Sequence, residues 1–80
     1  MEQLKNAPKT VGVKQSRRVI RDGKAQAVYL ALDAEERITR PLRDLCRECG
    51  APLVEVPTMS ALGEACGIDI GASVAVLLKV

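Results

Sequence analysis

The sequence predicts an α/β fold in which a mixed four-stranded sheet lies between two layers of helices, a three-layer α/β/α sandwich. Segments of strand length that are rich in apolar residues alternate along the chain with segments of helical spacing. The segment 25–32 is apolar at nearly every position, which is typical of a central strand covered by helices on both faces. At 80 residues the chain has the size of one domain, so we expect a single domain over residues 1–80.

The first half of the chain is predicted to form two short helices and two strands. Residues 2–5 favour a helical turn, and residues 10–12 favour a short strand that runs into a tight turn. A helix from Gln15 to Arg21 follows, and Gly23 ends it because glycine is favoured just past a helix terminus. The apolar segment 25–32 forms the second strand.

A polar turn at 33–36 precedes the third predicted helix. Leu42 and Leu45 lie at the spacing of one helix face. Pro41 is expected in the first full turn, where its missing N–H group does least harm. Gly50 is expected to end the helix.

The last third of the chain is predicted to contain a strand at 53–56, a helix and a strand at 72–79. Either Thr58 or Ser60 is suited to cap that helix with its hydroxyl oxygen. No apolar run approaches the ~18 residues that a membrane span needs, and no signal peptide is visible at the start of the chain. We therefore expect a cytoplasmic protein without membrane contact.

The charges are distributed unevenly along the chain. Residues 1–24 carry seven basic and two acidic residues, a net charge of +5, and residues 25–80 carry five basic and eight acidic residues, −3; together they give the overall +2. A basic first third is typical of a surface that binds a polyanion. The alternative is an ordinary solvated helix with charged side chains.

The near absence of rings excludes several classes of protein. Tyr29 is the only aromatic residue, and the chain has no histidine. RNA-recognition sheets and single-strand-binding barrels stack bases on aromatic rings, so this chain does not use that mode. Histidine is also the commonest general base, which makes catalysis an unfavourable interpretation. Nucleic-acid binding would therefore depend on charge, backbone amides and aliphatic contacts.

The motif Gly12-Val13-Lys14-Gln15-Ser16-Arg17-Arg18 lies where the first strand turns into a helix. Gly12 allows the backbone to approach a ligand closely, and the unpaired N–H groups of the new helix are suited to phosphate. Lys14 and Gln15 can both reach base edges, and Arg18 lies one turn beyond Lys14 on the same helix face. The alternative is an ordinary turn followed by a charged helix.

Glycines recur every fourth residue in the segment 63–71. The segment lacks the Gly-Lys-Ser/Thr sequence of a phosphate-binding loop, and its glycine spacing differs from that of a dinucleotide-binding fingerprint. We interpret Gly67 as a helix end, followed by a loop in which Ile68 and Ile70 point the same way and form an apolar ledge for a base. Packing of both side chains in the core is the alternative.

Two further groups of residues suggest chemistry only weakly. Cys46 and Cys49 resemble half of a zinc knuckle, but only Cys66 remains as a further ligand and four are needed. A redox pair would favour the start of a helix, whereas this pair closes one, so we expect reduced thiols. The carboxylates in 33–36 precede a helix, where acids are favoured electrostatically. We therefore expect that the protein is not an enzyme and that it binds neither a metal nor a cofactor.

The sequence resembles the kink-turn-binding ribosomal protein family, and within it the small bacterial YbxF-like branch. The resemblance covers the chain from about Leu4 to Leu78. It rests on the motif 12–18, Ala31-Leu32-Asp33-Ala34, Val54-Glu55-Val56-Pro57 and Leu62-Gly63-Glu64-Ala65-Cys66-Gly67-Ile68.

The resemblance implies an RNA ligand, the kink-turn, which contains tandem sheared G·A pairs and a flipped-out nucleotide. Lys14 and Gln15 would read the guanines, and Arg18 would contact phosphate. The loop 68–70 would pack against the flipped-out nucleotide, and Glu35 lies where some members contact it. The full set of candidate RNA-binding residues is Gly12, Val13, Lys14, Gln15, Arg17, Arg18, Arg21, Glu35, Met59, Ile68, Asp69 and Ile70.

The sequence departs from the wider family at two places. Archaeal and eukaryotic members carry Asn-Glu at the positions of Lys14-Gln15, whereas the bacterial branch carries a Lys-Gln pair like this chain. Many members carry lysine in place of Met59. We expect a monomer whose partner is a kink-turn RNA, with the ribosome as a candidate setting. A protein-interaction module on the same fold is the alternative function.

Overall fold

A computed structural model of the protein describes residues 3–79. Four helices and four strands alternate along the chain, as predicted. In order they are α1 (Gln3–Asn6), β1 (Lys9–Val11), α2 (Val13–Arg21), β2 (Ala25–Ala31), α3 (Glu36–Cys49), β3 (Leu53–Val56), α4 (Met59–Cys66) and β4 (Val74–Leu78).

The four strands form one mixed sheet in the order β1-β4-β2-β3. β4 is antiparallel to both of its neighbours, β1 and β2, whereas β2 and β3 are parallel. Strands β1, β2 and β3 therefore run in the same direction, and β4 runs against them. As a result, the ends of β1, β2 and β3 and the start of β4 meet at one edge of the sheet, here called the upper edge.

Helices cover both faces of the sheet, which confirms the three-layer prediction. Helices α1 and α4 pack on one face, and α2 and α3 pack on the other. The first core consists mainly of Leu4, Tyr29, Ala31, Val56, Leu62, Cys66, Ala75 and Leu77. The second consists of Ile20, Ala25, Val28, Leu30, Leu42, Cys46, Val74 and Val76. Alternate residues of β2 and β4 enter opposite cores, so both strands are apolar on both faces.

Several predicted boundaries were wrong by one or two residues. Helix α2 begins at Val13 rather than Gln15, because Gly12 turns the chain directly from β1 into the helix. Strand β2 ends at Ala31, one residue before the prediction. Strand β4 begins at Val74 rather than Ala72, whose N–H donates to the carbonyl of Met59 at 3.0 Å instead of to a strand. The predicted first helix included Glu2, which lies outside the described residues.

The prediction for Pro41 was also wrong. Helix α3 begins at Glu36, so Pro41 is its sixth residue and lies in the second turn. At that position a proline deprives the carbonyl of Arg37, four residues earlier, of its helical donor. Pro41 is exposed to solvent, where water can take the place of that donor.

The predicted helix ends were confirmed. Gly50 and Gly67 follow α3 and α4 in the left-handed conformation, at φ 69° and 79°, which glycine adopts without the strain of a side chain. Thr58 is the cap of α4, since its Oγ1 accepts from the N–H of Ala61 at 3.0 Å. Between residues 3 and 79, no helix is long and apolar enough to cross a membrane.

Candidate nucleic-acid interface

Four connecting segments are tied together by hydrogen bonds at the upper edge of the sheet. The N–H of Gly12 donates to the carbonyl of Val74 at 3.1 Å, and the N–H of Ala31 donates to the carbonyl of Ser73 at 2.9 Å. The N–H of Leu32 donates to the carbonyl of Val56 at 2.8 Å. The turn before α2, the turn after β2, the start of α4 and the segment before β4 therefore form one continuous surface.

Gly12 positions the start of α2 on this surface. Its backbone lies at φ 108° and ψ 156°, a conformation that residues with a side chain rarely adopt. No side chain caps the helix, so its first N–H groups are available to a ligand or water. Val13 is half-buried against the second core and anchors the first turn. Of the first four motif residues, Lys14 and Gln15 are thus the ones with exposed side chains.

Four cations form a row along the solvent side of α2. Lys14, Arg17, Arg18 and Arg21 are spaced three, one and three residues apart, which places them on one helix face, and all are exposed. The opposite face is held by Ile20, fully buried, and by Ser16, whose hydroxyl lies 3.3 Å from that of Thr10. Among residues 3–79, no carboxylate pairs with any of the four cations.

The first turn of α4 differs from that of α2 because side chains accept hydrogen bonds from two of its N–H groups. Asp33 in the turn after β2 accepts a hydrogen bond from the N–H of Met59, with its Oδ1 at 2.7 Å. Thr58 takes a second N–H, as described above. Fewer N–H groups are therefore available to an anion here than at the start of α2, and Asp33 holds the start of α4 against the end of β2.

The loop after α4 turns back along that helix toward the upper edge. Gly63, in the middle of α4, is buried, and a β-carbon at this position would overlap the carbonyl oxygen of Ile70. Gly71 also lies close to Met59, since a β-carbon on Gly71 would be 3.1 Å from the Met59 Cβ. The absence of two side chains therefore lets the loop lie directly on the helix.

The two isoleucines of this loop have different environments. The side chain of Ile70 is 74% exposed, in agreement with the ledge interpretation. Ile68 is half-buried and packs against the first core. The expected exposure is therefore observed for Ile70, whereas Ile68 is only partly exposed, because its N–H donates to the carbonyl of Gly63 at 3.1 Å and draws the residue inward. Contact of this loop with a base stays a prediction. Asp69 is exposed between them.

A further apolar residue at this edge was missed by the sequence analysis. Leu32, directly after β2, is 52% exposed, and Met59 is also exposed. With Ile70 they form an apolar patch, which we define as Leu32, Met59 and Ile70. Leu32 was assigned to a buried strand because it ends an apolar run. The Asp33 that follows it was the available signal that the strand stops there.

Glu35 lies in the same turn and is paired within it. Its Oε2 is 2.7 Å from Nε of Arg37, and both side chains are mostly exposed. Exposed pairs of this kind are worth at most about 1 kcal/mol, so the carboxylate can exchange this partner for another at little cost.

Cys46 and Cys66 are buried, whereas Cys49 is exposed, and no disulfide joins any two of the three. Burial raises the pKa of the Cys46 thiol, with a smaller contribution from neighbouring Cys49, and burial likewise raises the pKa of Cys66 although Lys9 opposes it. Raised values keep these thiols protonated at neutral pH, the opposite of what nucleophilic or ligating cysteine needs. Within residues 3–79, no cluster of three or more potential ligands was found.

The fold and its upper edge define a class: a small α/β/α sandwich with a cationic helix beside an aliphatic loop. The sequence matches the Ribosomal protein L7Ae/L30e/S12e/Gadd45 family over residues 2–80. The chain therefore belongs to that family.

Individual relatives agree with this assignment. The chain is 40% identical over 67 residues to a protein of Caldanaerobacter subterraneus subsp. tengcongensis named RNA-binding protein, covering 84% of this chain and 82% of that one. It is 34% identical over 69 residues to RNA-binding protein YbxF of Geobacillus stearothermophilus, covering 86% and 84%. The 15.5kD RNA binding protein of Giardia lamblia superposes with a TM-score of 0.84 at 30% identity, covering 90% of this chain and 61% of that one. The expected likeness to the YbxF-like branch is confirmed.

Proposed function

We propose that residues 1–80 form one RNA-binding domain that recognises the kink-turn. The observation that carries the proposal is the row of four exposed cations on α2, which have no carboxylate partners in the described chain. Unpaired cations in one row favour binding to the phosphates of a nucleic acid. The relatives named as RNA-binding proteins point to RNA as that nucleic acid.

Recognition of the G·A pairs is assigned to the first turn of α2. Lys14 donates to guanine acceptors, and the amide of Gln15 can donate and accept on a base edge. Both side chains are exposed beside Gly12, where the lack of a β-carbon admits the RNA backbone. Arg17 and Arg18 then contact phosphate and fix the register of the RNA on the helix.

Recognition of the flipped-out nucleotide is assigned to the apolar patch. An unstacked base exposes its faces to water, and contact with Ile70, Leu32 and Met59 would cover one of them. Glu35 and Asp69 are exposed and can accept hydrogen bonds from the base edge or the ribose hydroxyl. The chain thus replaces the aromatic stacking of other RNA-binding domains with aliphatic contact.

This function involves neither catalysis nor a cofactor. We propose that the protein acts as a monomer in the cytoplasm, and that the ribosome, which the family name includes, is one setting in which it meets a kink-turn. Gradient sedimentation with and without ribosomes tests this association, since a protein bound to ribosomes sediments with them instead of staying at the top of the gradient.

The decisive experiment compares two RNAs in an electrophoretic shift. One carries a kink-turn, and the other is identical except that its G·A pairs are changed to Watson–Crick pairs. Preferential binding of the first is expected. Equal affinity for both would leave only general RNA binding, and no binding to either would favour the protein-interaction module.

A further inference from the structure

We infer that the protein also grips an RNA stem flanking the bend, through a second cationic group at the opposite, lower edge of the sheet. This group, here called the lower cations, consists of Arg21, Lys24 and Lys79. The inference rests on the proposed function and extends it, since it adds a contact to the duplex leading away from the kink-turn.

Backbone hydrogen bonds bring the three lower cations together. Arg21 is the last residue of α2, and the chain turns at Gly23 so that the N–H of Lys24 donates to the carbonyl of Val19 at 3.0 Å. Lys24 is therefore held beneath the last turn of the helix. The N–H of Lys79 donates to the carbonyl of Lys24 at 2.9 Å. Residues far apart in the sequence thus place three exposed cations at one corner.

The lower cations lie too far from the upper edge to serve the bend itself. Strand β2 connects the two edges with seven residues, whose six steps of about 3.3 Å span about 20 Å. The row on α2 covers about half of this distance, because Lys14 and Arg21 are about 10 Å apart along the helix axis. An RNA strand that follows the row downward reaches the lower cations next.

The charge environment of the lower cations favours phosphate. In the described chain none of the three is paired with a carboxylate. Lysine acts as a compact point charge that suits phosphate without demanding a fixed geometry. Double-stranded RNA presents its phosphates regardless of sequence, so a stem of any sequence would fit. The acidic residue Asp22 lies exposed between Arg21 and Lys24 in the sequence.

The test measures the affinity of the full chain for kink-turn RNAs whose stems differ in length. One RNA has both stems at about 16 base pairs, the span of a double-stranded RNA-binding domain. Two others each have one stem reduced to about a third of that length, closed by G·C pairs so that the bend still forms. We expect one of the shortened RNAs to bind several-fold more weakly than the long one.

Variants connect that loss to the lower cations. The double variant Lys24→Ala/Lys79→Ala should bind the long RNA more weakly and the sensitive short RNA as well as the unchanged protein does. Two lost phosphate contacts reduce the salt slope by about 1.8, so the fall in affinity between 50 and 200 mM salt becomes about 12-fold smaller on the long RNA. Asp22→Asn should strengthen binding to the long RNA alone, because it removes a charge that repels phosphate.

Arg47→Ala is the matched control. Arg47 is exposed near the lower end of α3, but its NH1 lies 3.9 Å from Oδ1 of Asp44, so it is already paired. This variant should leave all affinities unchanged.

Two results would overturn the inference: equal affinity for all three RNAs, or a stem-length effect that Lys24→Ala/Lys79→Ala leaves intact. Failure of the proposed function has a different signature, since the protein would then not distinguish the kink-turn from its Watson–Crick counterpart at any stem length.

Discussion

Helices α2 and α3 pack side by side on the same face of the sheet, yet their exposed surfaces differ in charge. Helix α2 carries four cations and no acid, a net charge of +4. Helix α3 carries four arginines and three acids, +1. Every arginine of α3 has a carboxylate partner: Arg37 with Glu35, Arg40 with Glu36, Arg43 with Glu55 and Arg47 with Asp44.

The difference shows that the number of arginines is a poor guide to a binding surface. A carboxylate beside an arginine neutralises its charge and repels an approaching phosphate, even though the pair itself is weak, whereas an unpaired arginine exchanges only water and counterions. The Arg43–Glu55 pair also has a structural role, since its 2.6 Å contact joins α3 to the edge strand β3. Helix α3 therefore belongs to the scaffold, and α2 carries the proposed RNA contacts.

The largest expected effect is on the salt dependence of RNA binding, when the cations of each helix are removed in turn. On a kink-turn RNA whose stems are too short to reach the lower cations, Lys14→Ala/Arg17→Ala/Arg18→Ala should remove most of the salt dependence of binding, which in the unchanged protein should amount to roughly 50-fold between 50 and 200 mM salt. Arg37→Ala/Arg40→Ala/Arg47→Ala removes the same number of charges from α3 and should leave the slope nearly unchanged. Similar losses from both variants would show that overall charge, and not the unpaired row, determines affinity.

The next effect separates charge from base recognition within α2. Gln15→Ala should weaken binding to kink-turn RNA by about 1–3 kcal/mol and binding to a plain duplex hardly at all, because its amide is assigned to a guanine edge. Arg18→Ala should weaken both by a similar factor, since phosphate contacts carry little sequence information. Titrations of both variants against both RNAs give the comparison. A uniform loss for Gln15→Ala would remove it from the specificity residues.

A smaller effect tests whether α2 acts alone. Ile70→Ala should weaken kink-turn binding several-fold with the melting temperature nearly unchanged, because its side chain is exposed. Ile68→Ala should do the reverse, since its side chain packs on the first core; its loss of stability should stay below the roughly 2–5 kcal/mol of a fully buried residue. Melting temperature and affinity are measured on each preparation. Unchanged affinity in Ile70→Ala would exclude the apolar patch from the RNA site.

The smallest effect is expected on the scaffold helix. Arg40 pairs with Glu36 at 3.7 Å, and both side chains are largely exposed. Arg40→Ala should therefore change the free energy of unfolding by no more than about 0.5 kcal/mol and leave RNA affinity intact. Chemical denaturation measures the first quantity. A larger loss would mean that the pair stabilises α3 more than exposed pairs generally do.

Much of this architecture could be predicted because the local signals agree. Glycines at 50 and 67 fix two helix ends, and the apolar segments that became β2 and β4 could only be central strands. The exposure of Lys14 and Arg18 followed from helix periodicity. These features depend on residues close together in the sequence.

Features that depend on distant residues were missed. The exposure of Leu32 and the partial burial of Ile68 depend on which segments meet at the upper edge. The apolar character of a residue does not predict which segments those are. Gly63 was read as one member of a glycine repeat, and its role appears only when the Ile70 carbonyl lies against it. The pairing that neutralises α3 likewise required Glu55, twelve residues from Arg43.

The pairing of β1 with β4 has a consequence for how the protein is made. Within residues 3–79, strand β1 has β4 as its only neighbour in the sheet, and the N–H of Gly12, which precedes α2, donates to the carbonyl of Val74. Ribosomes release a chain from its amino end, so β4, which orients this turn, emerges after the other seven described elements. Pairing across more than sixty intervening residues is also a slow type of folding step. The turn before α2 is therefore held in place only after β4 has been made, and a nascent chain that lacks β4 carries the cations of α2 without the strand that orients them.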